Sequence, residues 1–257
     1  MMKHFFSDTA TLTGRSIKHV TRSPDTIIST AVMPIAIMLL FVYVFGGAID
    51  TGAGSGTDRY VNYMLPGILL ITIAMGISYT AYRLFIDQQR GILDRFNSMP
   101  IARSSTLWAH VLTSVIATMI SVVIVVLVAL VMGFRTGAGV TGWLAIIGIL
   151  LLFSLALTWV AVIAGLSAQS VEGASVFSYP LIFLPFISSA FVPTASMPGP
   201  VRWFADRQPV TSIVNSIRAL FDQRPVESDF WAALAWCAGI LVVAYFIAMA
   251  SYRRKIS

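Results

Sequence analysis

Six stretches of the chain contain no Asp, Glu, Lys or Arg: 26–49, 60–82, 104–134, 136–171, 173–201 and 230–252. Each exceeds the ~20 residues a helix needs to cross a ~30 Å hydrocarbon layer. Charged residues are 11% of the 257 positions and hydrophobic ones 57%, with a mean hydropathy of +0.84. A soluble domain carries roughly 25% charge, so too few charges are present to coat a water-facing surface, and lipid must be the solvent for much of the chain. In lipid every backbone amide must be bonded internally, which leaves helices or a closed barrel. Alternation of period two is absent, so helix follows. The fold expected is an all-α membrane protein, a single unit over 1–257 with spans at 27–46, 61–82, 108–132, 143–166, 174–192 and 230–250. Gly133 and the cluster Gly137, Gly139 and Gly142 part the third span from the fourth; Pro193, Pro198 and Pro200 close the fifth. The first run is too long for a signal sequence and lacks a small-residue cleavage site, so it reads as a retained span.

An even number of spans puts both termini on one side. That side collects 11 of the basic residues, in 1–25, in 83–107 and in the tail, against 6 opposite. Basic excess marks the cytoplasmic face, so both termini are expected there. The net charge of +6 is thereby read as membrane orientation, and nucleic acid is not an expected partner. Cys237, the single cysteine, lies within an apolar run and has no intrachain disulfide partner.

Three segments outside the spans carry a helical stripe. In 3–22, Phe5, Phe6, Leu12, Ile17 and Val20 face one way and Arg15, Lys18 and Arg22 the other, as in a helix lying on the cytoplasmic leaflet; a frayed basic tail is the alternative. In the loop 83–107, Ile92, Leu93, Phe96 and Met99 recur at helical spacing among Arg90, Asp94 and Arg95, until Pro100 stops the turn. Such a helix needs either a partner protein or the lipid surface. In 193–229, Val210, Ile213, Val214, Ile217, Leu220 and Phe221 make a stripe after Pro209, a residue favoured at helix starts. This is the expected outer re-entrant or interfacial helix, with a plain surface helix as the alternative.

The order of these pieces resembles the permease subunits of type-2 ABC transporters, close to the daunorubicin-resistance type of drug exporter. The resemblance covers almost the full length. It is carried by Arg22-Ser23-Pro24, Pro34, Phe45-Gly46-Gly47 and Tyr63-Met64-Leu65-Pro66-Gly67. Further along come Gly91-Ile92-Leu93-Asp94-Arg95 with Met99-Pro100 and Arg103, then Phe191-Val192-Pro193, Met197-Pro198, Pro209 and Arg218. The departures are Ile92 where Thr is common and Asp94 where Glu is common. The resemblance implies that Arg90, Gly91, Ile92, Leu93, Asp94, Arg95, Phe96, Met99 and Pro100 form a coupling helix. That helix would dock on a separate ATP-binding subunit, which would hold ATP and Mg. The sequence itself has no phosphate loop of the G-x-x-x-x-G-K-[ST] type. Two such ATPases and two permeases, alike or different, are implied in a bacterial plasma (inner) membrane.

Tyr79, Tyr82, Phe177, Phe183 and Phe186 are candidates for a lining that accepts flat or greasy substrates; packing between helices is the plainer use of such rings. Pro180, Pro185 and Gly76 are candidate hinge and close-packing points. Glu172 is expected to sit at the N-terminus of the fifth span, or else to pair with Arg83 or Arg90. His4, His19 and His110 lack metal-ligand spacing, and no catalytic or metal site is expected. A lipid-linked polysaccharide exporter is the sibling reading. An ion-coupled transporter would want an ionisable residue deep in a span, and the spans as drawn contain none. A membrane sensor without transport is the third class.

Overall fold

A computed structural model describes residues 24–45, 57–92, 103–226 and 228–256. The amphipathic stripe expected over 3–22 lies outside them, as do Leu93, Asp94, Arg95, Phe96, Met99 and Pro100. The described residues are helices and turns, without strands. They comprise α1 (Pro24–Leu40), running into a π-helical turn at Phe41–Phe45, α2 (Thr57–Gln89), α3 (Arg103–Val131) and α4 (Val140–Ser167). Two short helices follow, α5 (Val171–Val176) and α6 (Ser178–Phe183), then α7 (Gly199–Arg207), α8 (Pro209–Phe221) and α9 (Ser228–Ile256).

Among the described residues, four helical stretches are long and apolar enough to cross a membrane: Tyr60–Gln89, Leu107–Val131, Val140–Ser167 and Ser228–Arg254. The chain is therefore a multi-pass membrane protein. Thr30–Val44 and Val171–Ile187 are shorter apolar helical stretches. The second of these corrects an expectation, because 174–192 is not one helix. A turn at Phe177 separates α5 from α6, and a 3₁₀ turn, Leu184–Ile187, ends the run. Pro180 and Pro185 remove the amide hydrogens that would bond back four residues, so the α ladder fails at both places. A second correction concerns residues 83–89, assigned to a loop because they are charged. They are the last two turns of α2, and their charge is accommodated by a partner helix: Asp87 lies 3.5 Å from His110 on α3.

α2 is the centre of the bundle. It packs on α1, α3, α4, α5, α6 and α8, and 78% of its apolar window is buried against 22% for α9. Small residues let the helices approach. A Cβ on Gly76 of α2 would stand 2.5 Å from Thr118 Oγ1 of α3, and one on Gly165 of α4 would stand 2.8 Å from the Ala81 carbonyl oxygen. The Gly76 packing point expected from sequence is thus borne out. At one end of the bundle Leu84, Leu107, Leu166 and Tyr252 share a core, with Trp159 edge-on to Trp108 at 5.2 Å and to Tyr245 at 4.9 Å. At the other end, Tyr60, Phe134 and Phe221 belong to the larger core. The α3–α4 turn is clasped to α8 there: Thr136 Oγ1 and the Gly137 amide donate to the Phe221 carbonyl at 2.9 and 3.0 Å.

Candidate functional site

The 33 residues of α2 join two regions of interest. At its C-terminus the Arg90 amide donates to Ile86 O at 3.0 Å and the Gly91 amide to Gln88 O at 3.0 Å. Gly91 has φ +66°, a left-handed conformation that closes a helix and that β-carbon residues resist. Ile92 resumes helical geometry. The start of the expected coupling segment is therefore a break in direction at Gly91, with Arg90 exposed and Ile92 half-buried.

At the other end Pro66 sits inside α2, and its missing amide hydrogen loosens the preceding turn. The carbonyl left without that partner is Asn62 O; Arg218 of α8 brings donors to the next carbonyl, Tyr63 O. Its Nε and one terminal nitrogen donate to Tyr63 O at 3.3 and 3.0 Å, and the latter also donates to Ser189 O at 2.8 Å. The remaining nitrogen donates to Asn215 Oδ1 at 3.3 Å. The guanidinium carbon lies 3.8 Å from the centre of the Tyr63 ring, within cation–π range. Asn215 also accepts from Ser189 Oγ at 2.7 Å and donates to Asp229 Oδ2 at 3.0 Å. One planar cation thus ties α8 to the start of α2 and to the turn after the broken helix, with α9 joined through Asn215. α8 forms because Pro209 presets its first turn and because Val210, Ile213, Val214, Ile217 and Phe221 are buried along one face.

The aromatic candidates divide into two groups. Tyr79 and Tyr82 are neighbours at 6.1 Å, 39% and 36% exposed, and they edge an open groove of about 280 Å³ with Thr30, Met75, Ser78 and Ser175. Phe186 is stacked on Phe191 at 4.9 Å and lies 6.3 Å from Phe41, with Phe183 6.2 Å away at its exposed side. Phe177 is half-buried against the core. The structure therefore pairs the two tyrosines and pairs Phe183 with Phe186. Phe186 is engaged in an aromatic cluster with Phe191 and with Phe41 of the π-helical turn that follows α1. Glu172 lies in the first turn of α5, where the cap itself is Ser170, whose Oγ accepts from the Gly173 amide at 3.0 Å. No ion pair joins Glu172 to Arg83 or Arg90 among the described residues. Among those residues, too, no group of three or more His, Cys, Asp or Glu is placed to hold a metal.

The sequence reading missed the Asn215–Asp229 link and the Asp87–His110 pair. Arg218 was noted only as part of a motif. A single charge within the apolar stripe of α8 was the available signal for its role.

A family model described as ABC-2 type transporter matches residues 7–221. The chain belongs to the ABC-2 type transporter family. Among its relatives, the "Daunorubicin resistance ABC transporter permease protein DrrB1" of Streptomyces coeruleorubidus is 28% identical over 257 residues, which covers 96% of this chain and 88% of that protein. The "Probable doxorubicin resistance ABC transporter permease protein DrrC" of Mycobacterium tuberculosis (strain ATCC 25618 / H37Rv) is 28% identical over 253 residues, covering 97% and 90%. Membership gives the two ends of α2 a shared context: each is part of an ABC-2 membrane domain, one end at the segment resembling the coupling motif and the other near Pro66-Gly67 within the helix.

Proposed function

We propose that this chain is the membrane permease subunit of an ATP-driven exporter, moving a hydrophobic drug, antibiotic or lipid-like metabolite out of the cell. The family and the drug-resistance relatives support the class. The observation that carries the mechanism is the continuity of α2 from the Arg218 network to Gly91. After Pro66, one turn from Tyr63, α2 has no further proline, and such a helix transmits displacement because its ladder deforms far less than the turns at its ends.

In this reading the segment Arg90–Pro100 docks on a separate ATPase, which binds ATP and Mg. Two ATPases serve two permeases, and this chain contributes no catalytic group. Six passages of the bilayer, counting α1 and the broken α5–α6 run, place both termini in the cytoplasm of a bacterial plasma membrane. Closure of the ATPases on nucleotide moves the base of α2, and α2 carries the outer cap, α8, with it. The cycle requires nucleotide to favour one arrangement over the other; without that difference it shifts no population. The Tyr79–Tyr82 surface beside the open groove is the proposed contact for apolar, flat cargo.

The test is Leu93→Asp or Phe96→Asp, with the ATPase co-expressed. The expected result is loss of copurification while membrane insertion is retained. Undiminished copurification refutes the coupling assignment. Vectorial movement of substrate by the purified chain alone, without nucleotide, refutes the exporter reading as a whole.

A further inference from the structure

Between α1, α2 and α3 lies a narrow crevice of about 20 Å³, lined by Thr30, Tyr79, Thr80, Arg83 and a row of hydroxyls on α3. Thr113, Ser114, Thr118 and Ser121 fall on one face of α3, opposite the face of α2 that carries Gly76, Tyr79, Thr80 and Arg83. The crevice shares Thr30 and Tyr79 with the open groove of about 280 Å³, so the two adjoin. Its volume exceeds the ~10–15 Å³ that one water-sized group occupies.

Its chemistry is specific. Thr80, Thr113 and Ser121 donate their hydroxyl protons to the carbonyls of Gly76, Ala109 and Ala117, at 3.4, 2.7 and 3.4 Å. What they present inward is therefore lone pairs. Thr118 is only 3% exposed, lines the crevice, and its hydroxyl makes no hydrogen bond among the described residues. Its oxygen is not among the sealed, unpartnered polar atoms of the described residues, so it is open from the crevice to a guest's hydrogen bond. Arg83 adds donors and a positive charge, and no carboxylate pairs with it among the described residues. Asp87, one turn away, is instead engaged by His110. Three acceptor-only oxygens disfavour an anion, and Arg83 disfavours a cation. A neutral hydroxyl suits such a lining, giving its one proton to one of these oxygens and accepting from Thr118 or Arg83.

We propose that this crevice is a polar subsite that seats a neutral hydroxyl of the cargo while Tyr79 and Tyr82 hold its ring system. The cargo class that follows is a flat, apolar molecule bearing at least one uncharged hydroxyl. This rests on the permease reading above, and its test is chosen to stand apart from ATP-driven movement.

The full chain with its ATPase, in vesicles without nucleotide, is titrated with pyrene, 1-hydroxypyrene and protonated 1-pyrenemethylamine, following energy transfer from tryptophan. Wild type is expected to bind 1-hydroxypyrene about fivefold tighter than pyrene, the worth of one buried neutral hydrogen bond, and the ammonium probe more weakly than pyrene. Thr118→Val, which keeps the side-chain shape, is expected to bring the hydroxyl preference to about one without changing pyrene affinity. Ser121→Ala is expected to reduce the preference and serves if Thr118→Val melts early. Arg83→Gln is expected to restore ammonium binding. A hydroxyl preference absent from wild type, or unchanged in both Thr118→Val and Ser121→Ala, overturns the proposal, as does tighter binding of the ammonium. Loss of ATP-driven movement with the hydroxyl preference intact leaves the subsite standing and removes the exporter reading instead.

Discussion

Replacing Arg218 by Met keeps most of the stem and deletes the charge and all its donors. The guanidinium makes two contacts to Tyr63 O and one each to Ser189 O and Asn215 Oδ1, and it stacks 3.8 Å from the Tyr63 ring. Hydrogen bonds from a charged donor are each worth about 1.5–3 kcal/mol, and a partly desolvated cation–π contact is worth about 1–2. Relief from burying a guanidinium opposes these terms by several kcal/mol. The net loss expected is about 3 kcal/mol. At about 2–4 °C per kcal/mol for a chain of this size, the melting midpoint falls by about 6–12 °C. Arg218→Lys keeps the charge but loses the planar fork and the stacking, and is expected to lose roughly half as much. The chain supplies its own reporter, since Cys237 is the only cysteine and is 1% exposed. A thiol-reactive dye added during heating reads the moment the core opens. If Arg218→Met melts within about 2 °C of wild type, the contacts are cancelled by the cost of burial, and the network does not hold α8 to α2.

Three more outcomes are expected. Gly91→Ala places a β-carbon at φ +66°, a local cost of about 1 kcal/mol; ATPase stimulation by substrate should fall while Gly91→Asn, which tolerates that conformation, retains more of it. Gly76→Ala drives a Cβ to 2.5 Å from Thr118 Oγ1 and should lower the Cys237-detected melt by about 1–3 kcal/mol of overpacking, whereas adding Thr118→Ala should restore much of the loss. Ser170→Ala removes the cap of α5, worth about 1 kcal/mol; hydrogen exchange should quicken at 171–176 and stay unchanged in α4.

How far the sequence carried the fold depends on what limited each helix. α3, α4 and α9 are bounded by charge and turn residues, and the uncharged runs located them within a few residues. The rule failed at α2, where Arg83 and Asp87 continue the helix because His110 and the crevice receive them. Such compensation is tertiary and leaves no periodic trace. Pro180 and Pro185 were legible as weak points, yet hydropathy alone drew one helix through them. The stripe of α8 was legible because apolar spacing encodes burial directly. The partners of Arg218 were not, since Tyr63 lies 155 positions away and a carbonyl acceptor exists at every residue.

The 33 residues of α2 rise about 1.5 Å each, giving a lever of about 50 Å. A tilt of about 5° about one end sweeps the other through about 4 Å, close to the height of one helical turn. Motion on the scale of a single side chain at the Gly91 end is thereby enough to shift Tyr63 past one carbonyl of its neighbours at the far end, so the proposed coupling asks for no large domain swing.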